Sequence, residues 1–276
     1  MPEMKRMCES QFQLLGSSIS TEAVPILFKE KMRALKIMEP RLLLLPAHDA
    51  LFILRHALAL PRLLYTLRTC PTFLHIDILA TYDSLLKDIL SSVLNIRFIG
   101  TQFQQACLPV NNGGLGVRSA VMLAPSAFLA SAAGTSHLVL LLLPDYITRD
   151  TDTSRAAALA LWRSRVPTNT SPPASAQQKV WDALCVAHNL RQMTEQLTMP
   201  TDRARLNASQ RKEAGTWLSA LPAASLGLRM DDETIRIAVG LRLGCDLVTP
   251  HRCTCGAQVD ATAHHGLSCR RSPYIG

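Results

Sequence analysis

The C-terminal region carries three cysteines and two adjacent histidines within residues 253–269, and this cluster restricts the local fold more than any other stretch. One residue separates Cys253 from Cys255, eight separate Cys255 from His264, and four separate His264 from Cys269. Three thiols and an imidazole are a ligand set that tetrahedral zinc takes at structural sites. Because so short a loop has few apolar residues, a bound metal is the natural source of its folding free energy. The sequence therefore predicts a zinc knuckle.

Two questions about this cluster stay open at the level of sequence. His264 and His265 are adjacent and extend in different directions, so either imidazole could complete the ligand set. We assign His264, because its separation from Cys269 matches the usual length of a knuckle. The alternative to a metal site is a surface loop that carries free thiols.

The composition of the chain favours a mainly α fold. Its 276 residues suffice for one large or two modest domains, and 48% of them are apolar. Leu and Ala predominate, whereas aromatic residues make up 5% and β-branched runs are rare. Apolar residues at helical spacing predict helices at about 21–38, 47–67, 76–94, 179–197, 209–221 and 231–244, with Pro61 bending or interrupting the second.

A stretch rich in Pro, Thr, Ser and Asn is the best candidate for a linker. It covers residues 166–178. The predicted organisation is a first helical domain at 1–165, this linker, a second helical region at 179–250 and the knuckle at 251–276.

The excess of positive charge lies in the two ends of the chain. The net charge is +8, with ten Lys/Arg against six Asp/Glu in residues 1–68, nine against nine in 69–202, and ten against six in 203–276. Basic ends suit a polyanionic partner, above all RNA or DNA. A soluble basic protein without such a partner would show the same charge.

The chain has the features of an intracellular protein. The first residues lead into no apolar segment, and the cysteines outside the knuckle are scattered, so we expect a reducing compartment, nuclear or cytoplasmic, and no secretion. Between Ser119 and Tyr146 the only charged residue is Asp145, but Pro125 and Gly134 interrupt the apolar pattern. We expect buried helices there and no membrane span.

A glycine-rich stretch, residues 108–120, contains Gly113, Gly114 and Gly116. It lacks the Gly-Lys-Ser/Thr ending of a phosphate-binding loop and the spacing of a dinucleotide-binding motif. The pattern instead predicts a tight turn that leads into a helix, with Ser119 near the helix start.

The triplet Met230-Asp231-Asp232 is similar to the metal-binding hairpin of polymerases. It precedes an amphipathic helical run, however, and no strand hairpin surrounds it in the sequence pattern. Acidic residues are expected at a helix N-terminus on capping and dipole grounds. We interpret the triplet as a helix start.

Several segments together resemble one family. They are Leu14–Gly16, residues 48–68, residues 108–120, residues 124–131, Asp231–Gly244 and the Cys/His cluster. The chain is similar to the C-terminal part of the reverse transcriptase of a non-LTR (LINE-type) retrotransposon, of the kind that carries a restriction-enzyme-like endonuclease. The resemblance covers nearly the whole chain, and the glycine stretch and knuckle spacing are its most specific parts.

The resemblance implies a helical, thumb-like domain that holds a template–primer duplex, followed by a second helical region ending in the zinc knuckle. Leu15 and Gly16 would belong to the primer grip. Arg55, Arg62 and Arg68 would face backbone phosphate. Around the knuckle, a basic surface for target DNA or RNA is expected from Arg236, Arg242, Arg252, Arg270 and Arg271.

The sequence departs from the full family pattern at both ends. No palm carboxylates precede Phe12, and no endonuclease carboxylate motif appears before Gly276. We therefore expect a nucleic-acid-binding fragment that neither polymerises nor cuts DNA by itself and has no small-molecule substrate of its own. The competing class is a helical protein-interaction module with a structural zinc knuckle, and the salt dependence of binding would distinguish the two.

Overall fold

The computed structural model describes residues 13–18, 20–142, 152–269 and 271. The fold is mainly helical, which confirms the predicted fold class. The helices are α1 (Val24–Leu42), α2 (Ala47–Ile53), α3 (Leu60–Thr69), α4 (Ile76–Leu94), α5 (Gly100–Ala106), α6 (Ala120–Leu142), α7 (Thr153–Arg163), α8 (Gln178–Gln196), α9 (Pro200–Ser209) and α10 (Asp232–Leu243).

Two short antiparallel hairpins lie near the ends of the described chain. Strand β1 (Gln13–Leu14) pairs with β2 (Ser17–Ser18), and β3 (His251–Arg252) pairs with β4 (Gln258–Val259). The second hairpin belongs to the predicted knuckle.

Several predicted helices are confirmed with their expected ends. Helix α4 spans Ile76–Leu94, and α10 spans Asp232–Leu243 with Asp231 as the N-cap and Gly244 in the left-handed conformation as the C-cap. The helix predicted at 47–67 is interrupted, as Pro61 requires, because a π-helical turn at Leu54–Leu58 separates α2 from α3.

The helix predicted at 209–221 is wrong. The helix in this region is α9, which has Pro200 in its first turn and ends at Ser209. The following residues form turns, because tertiary contacts fix their backbone. A Cβ on Gly215 would lie 2.2 Å from Val110 Cγ1, and the carbonyl of Ala214 accepts a hydrogen bond from Arg242 at 2.9 Å.

The chain forms two compact units, each built from three separate stretches. The first unit combines residues up to 37 with 57–85 and 118–192, and the second combines 38–56, 86–117 and 193 onward. Residues 166–178 connect α7 to α8 within the first unit. The predicted domain division stays a prediction.

The core of the first unit is formed where α3 and α7 pack against α6. Aromatic side chains of the first unit also pack edge to face: the rings of Phe28 in α1 and Tyr82 in α4 are 6.3 Å apart, and those of Trp162 in α7 and Trp181 in α8 are 5.2 Å apart. The Trp162 indole N–H donates to the Trp181 carbonyl at 3.2 Å, so this buried polar group is satisfied.

A buried carboxylate holds the amino end of α6. The Ser119 hydroxyl donates to Asp83 at 2.5 Å, and the N–H groups of Ala120 and Val121 donate to the same carboxylate at 2.8 and 3.2 Å. Ser119 also accepts from the N–H of Met122 at 3.1 Å, so it lies at the helix start as predicted. Burial raises the pKa of Asp83, and these donors oppose that rise.

In the second unit, the glycine stretch is the predicted tight turn. Gly113 and Gly116 have φ angles of +87° and +76°, in the region that favours glycine. Gly114 is required for a different reason: a Cβ there would lie 2.1 Å from the Leu108 carbonyl oxygen and 2.5 Å from that of Gln105. The glycines therefore serve chain packing.

Arg242 of α10 connects this turn to the rest of the second unit. Its side chain is 7% exposed and donates to the carbonyl oxygens of Val110, Gly114 and Ala214 at 2.7, 3.1 and 2.9 Å. The Gln105 amide also donates to the carbonyls of Gly113 and Arg242, at 3.0 and 3.1 Å. Side chains thus satisfy backbone groups that no helix or strand pairs.

The acidic triplet is a helix start, as interpreted from sequence. Asp231 accepts from the N–H of Thr234 at 2.7 Å, and this bond is the main cause that lowers the pKa of Asp231. Asp232 instead accepts from the N–H of Ala47 at 2.7 Å, at the amino end of α2. His48 Nδ1 accepts from the N–H of Met230 at 3.1 Å. The starts of α2 and α10 therefore cap each other.

One helical run in the described part of the chain, Ala47–Thr69, is long and apolar enough to cross a membrane by length and composition. Half of its most apolar window is buried. Core helices of soluble proteins meet the same criteria, so this run leaves the prediction of no membrane span untested.

We expect Gly114→Ala to lower the free energy of unfolding by about 2–3 kcal/mol, because the new methyl group meets backbone atoms that have no rotamer to change. The control is Gly100→Ala at the start of α5, where a Cβ meets nothing within 4 Å, and a change within about 1 kcal/mol is expected. Urea denaturation followed by circular dichroism measures both. Equal midpoints for the two variants would contradict this account of the turn.

A pH dependence of stability follows from His48, which is 2% exposed and whose pKa is lowered by burial. The unfolded chain takes up a proton at the ordinary histidine pKa of about 6.5, whereas the folded chain resists it, so stability falls as pH drops below that value. His48→Gln keeps an acceptor for the Met230 N–H without titrating. We expect the urea midpoint of this variant to fall less between about pH 7.5 and 5.5 than that of the wild-type chain. The urea midpoint of the variant should still fall somewhat with pH, because burial also lowers the pKa of His56.

Candidate metal centre and basic surfaces

The β3–β4 hairpin positions the first two cysteines. The Cys253 N–H donates to the carbonyl of Ala257 at 2.8 Å, and the Gly256 N–H donates to the carbonyl of Cys253 at 2.8 Å. Gly256 has φ +92°, which lets the chain reverse directly after Cys255. A turn of this kind brings two thiols separated by one residue into a single group.

A short 3-10 helix, His264–Leu267, supplies His265, and Cys269 follows two residues after the helix ends. Cys255 Sγ lies 3.2 Å from His265 Nε2, and Cys253 Sγ lies 3.7 Å from Cys269 Sγ. All four ligand atoms lie within 4.8 Å of one another. Because Zn–S bonds of about 2.3 Å in tetrahedral geometry separate two sulfurs by about 3.8 Å, the group can hold a metal ion and is compatible with zinc.

The histidine of this group is His265, and the assignment of His264 is corrected. His264 points elsewhere: its Nδ1 lies 2.8 Å from Thr262 Oγ1. Because the two residues occupy successive positions of a 3-10 turn, their side chains leave it in directions about 120° apart. Only one of them can face the thiols.

The local electrostatics favour the thiolate that a metal needs. The backbone N–H of Cys255, followed by the His265 side chain, lowers the pKa of Cys253 to about 6. Cys269 is 4% exposed, so the group is closed to solvent on one side. The thiolate is the ligand form of cysteine, and the loop favours it at Cys253, whereas the pKa of Cys269 is raised.

The other described cysteines lie outside the group. Cys70, Cys185 and Cys245 are buried, and Cys107 is half-buried. Burial raises the pKa of Cys245 to about 12, which keeps that thiol protonated. Cys70 and Cys185 also make sulfur hydrogen bonds, with the Ser18 carbonyl at 3.0 Å and with the Ser126 hydroxyl at 3.8 Å.

Two of the predicted knuckle arginines are exposed next to the metal group. Arg252 Nε donates to the carbonyl of Gly256 at 3.2 Å, and Arg271 Nη1 donates to that of Thr254 at 3.2 Å. Both guanidinium groups therefore lie against the turn that carries Cys253 and Cys255. Arg270 lies outside the described residues.

Three predicted contact arginines donate to backbone carbonyls of the protein. Burial excludes Arg242 from an open basic surface, whereas Arg55 and Arg236 are half-buried and their assignment stays a prediction. Arg242 is buried as described above. Arg55 donates to the carbonyl of Leu218, and burial lowers the pKa of Arg55. Arg236 donates to the carbonyls of Asn95 and Leu247 at 3.1 and 2.9 Å. Charge and helical spacing could not reveal this, because long cationic side chains also satisfy isolated carbonyls inside a protein.

In the first unit, the predicted primer-grip residues form the tip of the β1–β2 hairpin. Leu15 and Gly16 have φ angles of +51° and +79°, as a two-residue type I′ turn requires, and Leu15 is 84% exposed. The hairpin is attached to the end of α3, because Cys70 Sγ donates to the Ser18 carbonyl at 3.0 Å.

Helix α3 carries the remaining two predicted contacts. Arg62 and Arg68 are both exposed, and Tyr65 between them is 46% exposed. Residues three apart on a helix are neighbours, so these side chains form one stripe on α3. The Arg68 guanidinium also donates to the Gln178 side chain at 3.2 Å. An aromatic ring between two cations suits a nucleic-acid strand.

Comparison with known proteins assigns the chain to no family. Comparison with protein-family models, with curated proteins and with solved structures gives no match. The retrotransposon resemblance therefore stays a prediction.

A cleft beside the knuckle was not predicted from sequence. It measures about 750 Å³, and its walls come from α9, from α10, from the segment around Trp217 and from the knuckle. Alanines four residues apart on α9, Ala204 and Ala208, are the signal that could have indicated a helix face without bulky side chains. The segments that form the cleft are separated in sequence, so no local sequence pattern indicates that they pack together.

We expect the two adjacent histidines to differ sharply in metal binding. The purified chain should contain about one zinc ion, His265→Ala should lose it, and His264→Ala should keep it, because only His265 faces the thiols. Elemental analysis after gel filtration measures the zinc content. Cys269→Ser is the positive control for metal loss. Equal zinc in the His265→Ala and wild-type chains would contradict the assignment.

Proposed function

We propose that the chain binds nucleic acid through exposed basic surfaces, one of which is organised by a structural zinc knuckle. The observation that carries this proposal is the placement of Arg252 and Arg271. Both are exposed, and both guanidinium groups are bonded to the turn that presents Cys253 and Cys255. The metal loop thus holds two cations at its outer face.

The charge of the knuckle supports an anionic partner. One Zn²⁺ with three thiolates carries a net charge of 2 − 3 = −1, Arg252, Arg270 and Arg271 add +3, and Asp260 adds −1, which leaves the knuckle at +1. Because Arg252 and Arg271 are already fixed by a carbonyl, each loses less side-chain entropy when it binds a phosphate. Their remaining N–H donors suit phosphate oxygens.

The zinc ion would have a structural role. Four protein ligands complete its tetrahedral shell, whereas catalytic zinc keeps one position for water or substrate. Cys253, Cys255, His265 and Cys269 close a loop in which Val259 and Cys269 are the buried apolar residues among those described. So small a core makes the fold of the knuckle dependent on the metal.

The first unit offers a second surface for the same function. The hairpin tip at Leu15 and Gly16 and the α3 stripe of Arg62, Tyr65 and Arg68 are exposed parts of two packed elements. This pairing supports the proposal that the chain derives from a LINE-type reverse transcriptase. The hairpin would then correspond to the primer grip and α3 to a thumb helix that contacts the template–primer duplex.

A second candidate function is a protein-interaction module. Residues after α1 favour it, because Leu43, Leu44 and Leu45 are 49%, 85% and 39% exposed. Exposed apolar side chains in one segment are typical of protein contacts. An apolar contact would be insensitive to salt, whereas phosphate contacts weaken steeply as salt rises.

We expect the zinc-loaded chain to bind a mixed-sequence single-stranded oligonucleotide, with log Kd rising linearly with log salt. Arg252→Gln should weaken binding and reduce the magnitude of the slope by about 0.7, the value for one phosphate contact on a single strand. The matched control is Arg163→Gln on the exposed side of α7, which should leave the slope unchanged. Fluorescence anisotropy at several salt concentrations measures both.

Salt-independent binding, or an equal effect of the two substitutions, would contradict a phosphate-binding surface at the knuckle. Absence of nucleic-acid binding by the zinc-loaded chain would favour the protein-interaction module.

A further inference from the structure

The cleft beside the knuckle has a distinct chemistry. One helix wall presents Ala204 and Ala208, the other presents Ala238 and Leu241, and the half-buried indole of Trp217 lies between them. Because three of these four helix side chains are alanines, the helices fill little of the space in the cleft. Its volume of about 750 Å³ falls in the range of sites that hold small organic groups.

Two carboxylates and two largely buried guanidinium groups, those of Arg205 and Arg242, line the cleft among the described residues. Asp202 of α9 and Asp260 of the knuckle both contribute, and the Asp202 side chain is 43% exposed. The Arg205 guanidinium in the wall is committed to protein partners, because Nη1 donates to Gln105 Oε1 at 2.9 Å and to the Arg242 carbonyl at 2.7 Å. Its Nε lies 3.6 Å from Asp202 Oδ1, so this ion pair occupies one oxygen of Asp202 and leaves the other as an acceptor. The interior therefore suits hydrogen-bond donors better than phosphate.

His264 completes the knuckle wall in a defined orientation. The Thr262 hydroxyl donates its single proton to Asp260 at 2.6 Å, so Thr262 must accept from His264 Nδ1–H, which lies 2.8 Å away. This chain of bonds fixes the imidazole and leaves Nε2 as its other polar atom. His265 thus faces the thiols of the metal group, and His264 lines the cleft.

Cations lie just outside the cleft. Arg211 and Lys212 are exposed on the turn between α9 and Trp217, after Ser209 and Gln210, and the exposed Glu213 separates them from the lining residue Ala214. Arg203 is also exposed, between the lining residues Asp202 and Ala204. Positive charge outside and carboxylates inside match a nucleotide whose phosphate stays in solvent while its base enters the cleft.

We propose that this cleft binds one unpaired nucleobase that carries an exocyclic amino group, stacked on Trp217 with its amino edge towards Asp202 or Asp260. Stacking of a base on an aromatic side chain is tolerant of sequence, and a carboxylate accepts well from the amino group of cytosine. Uracil and thymine present the O4 carbonyl in place of the amino group, which a carboxylate repels, and their N3–H is the only donor on that edge. This inference rests on the proposed nucleic-acid-binding function and adds the base contact to it.

The test uses the full zinc-loaded chain and three probes of about ten nucleotides: oligodeoxycytidylate, oligothymidylate and an abasic deoxyribose-phosphate strand. The abasic strand reports phosphate contacts alone. Two variants address the cleft, Trp217→Ala, which removes the stacking surface, and Ala208→Leu, which fills the cleft without removing a contact. Ala80→Leu on the exposed side of α4 is the matched control. Affinities are measured by anisotropy at one salt concentration, and circular dichroism confirms the fold of each variant.

We expect oligodeoxycytidylate to bind the wild-type chain most tightly. Trp217→Ala and Ala208→Leu should each weaken that binding roughly ten-fold to hundred-fold and leave the abasic strand within about two-fold of wild type. Ala80→Leu should change neither. If Trp217→Ala fails to fold, Ala208→Leu decides the outcome.

Two groups of results would overturn the inference, and they differ from each other. Equal affinity for all three probes, or unchanged oligodeoxycytidylate binding in both cleft variants, would remove the base contact while phosphate binding stands. Failure of the wild-type chain to bind any probe would remove the proposed function and the cleft assignment together.

Discussion

The second unit depends on one buried cation. Arg242 has no carboxylate partner among the ion pairs of the described residues, and its positive charge is met by the carbonyl dipoles of Val110, Gly114 and Ala214. Burial lowers its pKa to about 10, so the side chain stays charged at neutral pH. A cation without its carbonyl partners would be costly to bury, and carbonyls without the cation would be unpaired. The turn around the glycines, the segment before Trp217 and α10 therefore form as one structure or not at all.

The same arrangement places the knuckle. Helix α10 ends at Leu243, and the chain then reaches the β3–β4 hairpin within a few residues. The N–H groups of Leu247 and Val248 both donate to the carbonyl of Ala261, at 2.7 and 3.2 Å, which attaches the far side of the metal loop to the end of α10. The rigid part of the unit thus orients a loop that has little core of its own. The Arg242 guanidinium stabilises one part of the unit, and the adjoining loop carries a group of side chains that could hold a metal ion.

Local patterns predicted much of the fold. Apolar spacing located α4, and acidic caps with a terminal glycine located both ends of α10, because those signals act within one helix. The thiols of the knuckle were visible from spacing alone. The predictions failed where contacts between segments distant in sequence determine the structure. Gly215 packs on Val110, so no helix forms at 209–221. Arg55 has the sequence pattern of a surface cation, but its side chain donates to the Leu218 carbonyl. The choice between His264 and His265 depended on a turn geometry that ligand spacing does not encode.

The turn at the glycine stretch has a further consequence for how the chain can vary in length. Its successive N–H groups, from Gly113 to Gly116, all donate to carbonyls between Ala106 and Val110, at 2.9–3.2 Å. A surface loop usually tolerates extra residues, because its backbone is solvated and its ends need only stay in reach. Here an insertion would displace every one of these bonds and the carbonyls that Arg242 requires. The segment is irregular in conformation, yet its length is as constrained as that of a central strand in a sheet.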